Sequence, residues 1–111
     1  PSASGKPWGK LVFSSQKEVT LSGEQMLIGR VDHDVQGVNP DIDLSDLPGA
    51  DTTSRIHATI EHVGSLYTIT DLNSTNATRV NGKRIEPDKA AAINDGDTIH
   101  FGKVTCTFKK L

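Results

Sequence analysis

Ile56-His57-Ala58-Thr59-Ile60-Glu61, followed beyond Gly64-Ser65 by Leu66-Tyr67-Thr68-Ile69-Thr70, is the stretch that decides the fold. Ile56, Ala58 and Ile60 fall on one face and His57, Thr59 and Glu61 on the other, the two-residue period of a half-buried strand. Gly64-Ser65 supplies a turn, and residues 66–70 read as the returning strand of a hairpin.

The same pattern continues in both directions. Towards the C-terminus, Arg79-Val80 meets Lys83-Arg84-Ile85 across Asn81-Gly82, a strong hairpin signal because both turn residues tolerate a left-handed backbone. Asp95-Gly96 precedes Thr98-Ile99-His100-Phe101, and Gly102-Lys103 leads into Val104-Thr105-Cys106-Thr107-Phe108. Val104, Cys106 and Phe108 share a face, which makes Cys106 a buried core thiol rather than a reactive one. Towards the N-terminus, Leu11-Val12-Phe13, Glu18-Val19-Thr20-Leu21, Gln25-Met26-Leu27-Ile28 and Asp41-Ile42-Asp43-Leu44 are further strands. Helical periodicity is nearly absent, and about ten short strands at close spacing imply an all-β sandwich or barrel.

Bulk properties narrow the function. A chain of 111 residues is one domain, and 34% hydrophobic residues suit a thin core between two sheets. A formal net charge of −2 argues against non-specific nucleic-acid binding and against electrostatic attachment to anionic membrane. No apolar run is long enough to span a bilayer. Residues 1–9 read as a flexible tail or linker and 10–111 as the domain, so a piece of a longer protein is expected. With Cys106 the sole cysteine, no internal disulfide can form, which fits a reducing cytoplasm.

The longest stretch without clear strand character lies between Arg30 and Ser54, interrupted only by residues 41–44. Long irregular segments in a small domain tend to carry function. Three motifs border it or follow it: Gly29-Arg30, Ser54-Arg55-Ile56-His57, and Asp71-Leu72-Asn73-Ser74-Thr75-Asn76. Together they offer two guanidinium groups, several hydroxyls and a carboxamide, an inventory suited to a phosphate dianion held without metal. Taken singly, Arg30 reads as a solvated strand-end arginine, and Ser54, Thr75 and Asn76 as turn residues.

In order and spacing, these three motifs and their continuation Ala77-Thr78-Arg79-Val80-Asn81-Gly82 resemble the signature of the forkhead-associated (FHA) domain. The resemblance covers roughly residues 10–111. It implies a two-sheet antiparallel β-sandwich of about eleven strands, with ligand loops along one edge. It also implies a non-catalytic adaptor that recognises phosphothreonine in a partner protein or in its own parent chain. Arg30 and Ser54 would contact the phosphate, and Arg55 would lie beside it or beside the peptide backbone. Thr75 would border the phosphate or the threonine methyl, and Asn76 would hold the peptide main chain. Gly29 and His57 would support the site, His57 by bracing the binding loop. No cofactor and no metal are implied. The alternative from another class is a phosphate-independent scaffold or oligomerisation module on the same fold.

The chain departs from the family at Ala77, where Gly is usual. If that position needs φ > 0, a Cβ there costs on the order of 1 kcal/mol or tilts the Thr75-Asn76 turn. A second feature is an acidic stretch of Asp32, Asp34, Asp41, Asp43, Asp46 and Asp51. It predicts a rim that disfavours acidic residues near the phosphothreonine. Other chemistries fit less well. Asp32 to Asp43 mimics a calcium loop in part, but its flanks read as strands, Pro40 interrupts it and Glu is the usual last ligand. Ser54, His57 and Asp71 lack the strand-to-helix elbow and oxyanion hole of a hydrolase. His33, His62 and His100 are isolated, and the few aromatics read as core rather than as stacking platforms.

Overall fold

The computed structural model describes residues 7–31 and 40–111. Among them run eleven strands: β1 (Gly9–Phe13), β2 (Glu18–Leu21), β3 (Gln25–Gly29), β4 (Ile42–Asp43), β5 (Ala58–Val63), β6 (Leu66–Asp71), β7 (Thr78–Val80), β8 (Lys83–Arg84), β9 (Ala90–Ala92), β10 (Thr98–Phe101) and β11 (Val104–Lys110). They form a six-stranded sheet, β2-β1-β11-β10-β7-β8, and a five-stranded sheet, β4-β3-β5-β6-β9. This is the expected all-β, two-sheet architecture. One pairing departs from the antiparallel expectation: β3 and β4 run parallel, which the long connection between Gly29 and Ile42 permits.

The register explains the core. In the larger sheet Leu11 faces Phe108, Phe13 faces Cys106, Ile99 faces Cys106 and Phe101 faces Val104, all buried. In the smaller sheet Ile28 faces Ala58 and Ile60 faces Ile69. These two inner rows pack on one another, and the residues between them point outward, as strand alternation requires. Burial pushes the Cys106 thiol far above its ordinary range, so it is protonated and inert at neutral pH. Asn81 (φ 54°) and Gly82 (φ 84°) both adopt the left-handed backbone of a type I′ turn and join β7 to β8, as the sequence predicts. No helix among the described residues is long and apolar enough to cross a membrane.

Two expectations need correction, and one strand was not anticipated. Ile56 is 44% exposed and lies outside β5, because the segment before Ala58 hydrogen-bonds to the end of β3 instead of continuing the sheet alternation. β9 is built from Ala90–Ala92, which carries no strand signal and is ordered by its register with β6. The sheet also begins before residue 10. Gly9 opens β1, and Trp8 is buried against Tyr67 and Phe108 with its indole N–H donating to the Gly23 carbonyl at 2.7 Å.

The register also fixes where function can sit. Ile28 pairs with Ala58, Ala58 with Asp71, and Phe101 with Thr78. The ends of β3, β6 and β10 and the starts of β5, β7 and β11 therefore lie at one end of the sandwich. Their loops carry all three sequence motifs.

Candidate functional site

Gly29 is where two loops cross. A Cβ at this position would sit 1.9 Å from the Arg55 carbonyl oxygen and 2.8 Å from its carbon, so only glycine lets the segment 54–56 pass over the end of β3. The crossing is stitched by the Arg30 N–H, which is shared between the carbonyls of Ser54 (3.2 Å) and Arg55 (3.3 Å). Arg30 Nε then donates to the Thr53 carbonyl at 3.1 Å. The side chain is thus held along the loop from its backbone to the edge of its guanidinium.

That loop is shaped from both sides. Gly49 (φ 89°) opens a one-turn 3-10 helix over Ala50–Thr52, and Thr52 and Thr53 donate their hydroxyls back to the Gly49 and Ala50 carbonyls, each at 2.6 Å. The Lys103 N–H donates to Thr52 Oγ1 at 2.8 Å, and a Cβ on Gly102 would lie 2.6 Å from that same oxygen. The β10–β11 turn therefore docks directly on the loop.

His57 links the loop to the other side of the site. It is fully buried, edge-on to Phe101 at 5.5 Å between ring centroids. Its Nδ1 accepts the Ser54 N–H at 3.1 Å, which leaves the ring proton on Nε2 to donate to the Ala77 carbonyl, also at 3.1 Å. Burial lowers its pKa, outweighing the Ala77 carbonyl and the Asp71 charge, which raise it. The neutral ring is a strut between two loops. Neither of its nitrogens meets the Ser54 hydroxyl, so Ser54, His57 and Asp71 do not form the relay of a hydrolase.

The turn after β6 is wound around Asp71, itself buried. Its carboxylate accepts the N–H and hydroxyl of Ser74 and the hydroxyl of Thr78, the last at 2.7 Å. Asn73 takes a left-handed φ of 59° within the turn. The turn delivers Thr75, whose N–H donates to Ser54 Oγ at 3.0 Å, and Asn76, whose Nδ2 donates to the Thr52 carbonyl at 2.8 Å. Ala77 follows with φ 68°, so the position does require the left-handed backbone that a Cβ resists. Its conformation is fixed through its carbonyl, which accepts both His57 Nε2 and the Gly102 N–H (3.1 Å). The Thr75-Asn76 turn is held in place despite the substitution.

Arg30, Ser54, Arg55, Thr75 and Asn76, separated by up to 46 positions in the chain, line one cavity of about 300 Å³ together with Asp51, Thr52 and Thr53. Gly29 and His57 are buried and do not line it. Sequence reading singled out Arg30, Ser54, Arg55, Thr75 and Asn76, and Asp51 within the acidic stretch, but missed Thr52 and Thr53 in the lining and the bracing roles of Thr52, Asp71 and Gly102. Only Asp71 left a signal, an Asp three residues before Ser at the start of a turn.

The acidic stretch falls only partly within the described residues. Asp41 accepts the Leu27 N–H at 2.7 Å, and Asp43 accepts the Val31 N–H (3.1 Å) and both the N–H (3.0 Å) and hydroxyl (2.8 Å) of Ser45. Burial raises the Asp43 pKa, but the hydrogen bonds from Ser45 and Val31 win and hold it below the usual carboxylate value. These two carboxylates organise loop backbone. Asp46 and Asp51 are exposed, Asp51 within the cavity lining; Asp32, Asp34 and most of the calcium-like stretch, His33 included, lie outside the described residues. Among the described residues, no group of three or more His, Cys, Asp and Glu side chains is placed to hold a metal ion.

Comparison with known proteins agrees with this geometry. The family model of the FHA domain matches residues 26–102. Protein FraH of Nostoc sp. is 35% identical over 75 residues, covering 65% of this chain and 26% of FraH. The structure of Mycobacterium tuberculosis EmbR in complex with a low-affinity phosphopeptide superposes with a TM-score of 0.76 at 30% identity, over 98% of this chain and 26% of EmbR. An FHA domain characterised for phosphothreonine-dependent interactions gives 0.72 at 26% identity, over 92% of this chain and 95% of that one. The chain thus spans about a quarter of the length of FraH and of EmbR. With the motif-bearing loops gathered at one end of an eleven-stranded sandwich and the family match covering most of its length, this chain belongs to the FHA-domain family.

Proposed function

We propose that this chain is a non-catalytic module that binds phosphothreonine in a partner protein, with Arg30, Ser54, Arg55, Thr75 and Asn76 as its binding residues. The observation that carries the reading is their convergence on one cavity in an FHA domain. The phosphopeptide bound to EmbR and the phosphothreonine-dependent interactions of the second relative support it.

The chemistry follows from the hydrogen bonds already present. Because Ser54 Oγ accepts the Thr75 N–H, the hydroxyl proton is directed to a further acceptor, the role a phosphate oxygen fills. Arg30 spends Nε on the Thr53 carbonyl and offers its Nη groups to the dianion. Arg55 adds a second guanidinium to the cavity wall. Asn76 spends one amide hydrogen on Thr52 and keeps the other, with Oδ1, for the ligand's main chain. Two or three charge-assisted bonds of about 1.5–3 kcal/mol each, with backbone contacts, reach the roughly −8 kcal/mol of a micromolar complex.

Replacing Arg30 by Ala weakens phosphopeptide binding by about tenfold to a hundredfold and leaves the domain folded. Titration of both proteins with one phosphothreonine peptide, with thermal unfolding as the fold control, measures this. Equal affinity in the folded variant refutes the assigned site.

A further inference from the structure

Away from the phosphate cavity, the sandwich is open along one side. β8 ends the larger sheet and β9 ends the smaller one, and a groove of about 450 Å³ lies between these two edge strands. Its floor is apolar: Val80, Ile85 and Ala91 pack against the core yet stay partly exposed. The groove shares no lining residue with the phosphate cavity.

The β9 edge presents open main chain. The Ile93 N–H donates to the Tyr67 carbonyl at 2.9 Å, and Ala91 pairs with Ile69 in the same register, so these alternate residues turn their N–H and C=O groups to β6. Ala90 and Ala92 turn theirs the other way, along the free edge. Both are exposed, and their methyl groups are too small to cover the backbone. An edge of this kind pairs with another strand unless something prevents it. What borders it is positive charge. Lys83 lies opposite Val80, which puts it on the groove face of β8, and Arg84 follows it. Lys89 is already paired with Glu86 at 2.8 Å. Among the described residues neither Lys83 nor Arg84 forms an ion pair, in a chain whose formal net charge is −2. Such cations guard an edge, because two copies brought edge to edge would set like charges against each other. A guard against self-pairing needs no apolar floor, whereas a docking groove does. The same cations that repel a second copy attract a segment carrying acid.

We propose that this groove takes an extended segment of a partner protein, rich in acidic and apolar residues, as a sixth strand of the smaller sheet beside β9. Its main chain pairs with Ala90 and Ala92, its apolar side chains cover Val80, Ile85 and Ala91, and its carboxylates meet Lys83 and Arg84. Main-chain pairing supplies affinity, and the two cations discriminate between partners. The contact needs no phosphate, so it stands or falls apart from the phosphothreonine reading.

The test uses labelled, unphosphorylated peptide libraries of about eight residues that alternate Val, Ile, Leu or Phe with Asp or Glu. Matched libraries carry Lys or Ser in place of the acid. Fluorescence anisotropy should show the acidic library binding about tenfold or more tightly than the basic and neutral ones, the margin shrinking as salt is raised. Amide hydrogen exchange locates the contact: Ala90 and Ala92 gain protection, and β4 at the opposite edge of the sheet does not. The double variant Lys83→Glu, Arg84→Glu, at exposed positions, should bind the acidic library about tenfold or more weakly and favour the basic one. Ala92→Pro removes an outward N–H without touching the ladder to β6 and should weaken binding of every library. Thermal unfolding confirms that each variant is folded. No binding of the acidic library to the wild type, equal binding of the acidic and basic libraries, or protection confined to other strands overturns the proposal. Dimerisation that protects Ala90 and Ala92 without peptide also overturns it, making a second copy the occupant.

Discussion

Lowering the pH below 6.5 should remove stability from this domain through His57, and the loss should reach the binding loop at the same time. The ring is fully buried, with Nδ1 accepting the Ser54 N–H and Nε2 donating to the Ala77 carbonyl. Burial holds its pKa below the ordinary value of 6.5. As the pH falls through 6.5, the unfolded chain takes up a proton that the folded chain resists. The unfolded state then binds more protons, so the His57 contribution is fully present above 6.5 and declines below it until the folded pKa is reached. The limiting slope is about 1.4 kcal/mol per pH unit, so one unit below 6.5 costs at most about 1.4 kcal/mol out of a total of about 5–15 kcal/mol. When the folded protein does protonate, the new proton on Nδ1 faces the Ser54 N–H, donor against donor, and the loop carrying Ser54 must move. Urea unfolding followed by the fluorescence of buried Trp8, at about pH 7.5 and about pH 5.5, measures the loss. His57→Gln keeps a donor and an acceptor but does not titrate. The variant is less stable overall, and its pH dependence should be flatter than the wild type's. Parallel pH profiles for the two proteins would refute the assignment of a buried neutral His57.

Gly29→Ala should destabilise the fold by about 1–3 kcal/mol or more and abolish phosphopeptide binding, because its Cβ would meet the Arg55 carbonyl at 1.9 Å; denaturation and titration report the two losses. Ala77→Gly relieves left-handed strain of about 1–2 kcal/mol but loosens the unfolded chain by about 0.4–1 kcal/mol. Stability measured by urea unfolding should therefore rise by about 0 to 1.6 kcal/mol, with peptide affinity undiminished. Cys106, buried and with its pKa raised, should stay unmodified by thiol reagents in the native protein and react at the rate of global unfolding, which a reagent time course in increasing urea resolves.

The sequence reveals this fold wherever the determinants are local. The paired strands of residues 58–63 and 66–71 and the left-handed Asn81-Gly82 turn follow from short-range signals, and the structure carries both, although Thr59, on the face expected to be polar, is buried. Ile56 reads as core because alternation extends back to it, but the chain there is held to β3 through the His57 N–H on the Ile28 carbonyl (2.9 Å), a tertiary constraint with no local trace. β9 is invisible for a related reason: alanine has little preference for strands, and Ala90–Ala92 is extended because Thr68 to Thr70 of β6 templates it. The candidate site was legible as residue types in a recognisable order, which is why Arg30, Ser54, Arg55, Thr75 and Asn76 were found while Thr52 and Thr53 beside them were not. The charge around it was not. A run of aspartates does not disclose that Asp41 and Asp43 also organise loop backbone by accepting the Leu27, Val31 and Ser45 N–H groups.

The most direct test of the central claim is a titration of this domain by fluorescence anisotropy against a degenerate phosphothreonine peptide library, with matched phosphoserine and unmodified libraries. The account predicts binding confined to the phosphothreonine set and lost in Arg30→Ala. Equal binding of the unmodified library, or binding that Arg30→Ala leaves intact, would contradict it.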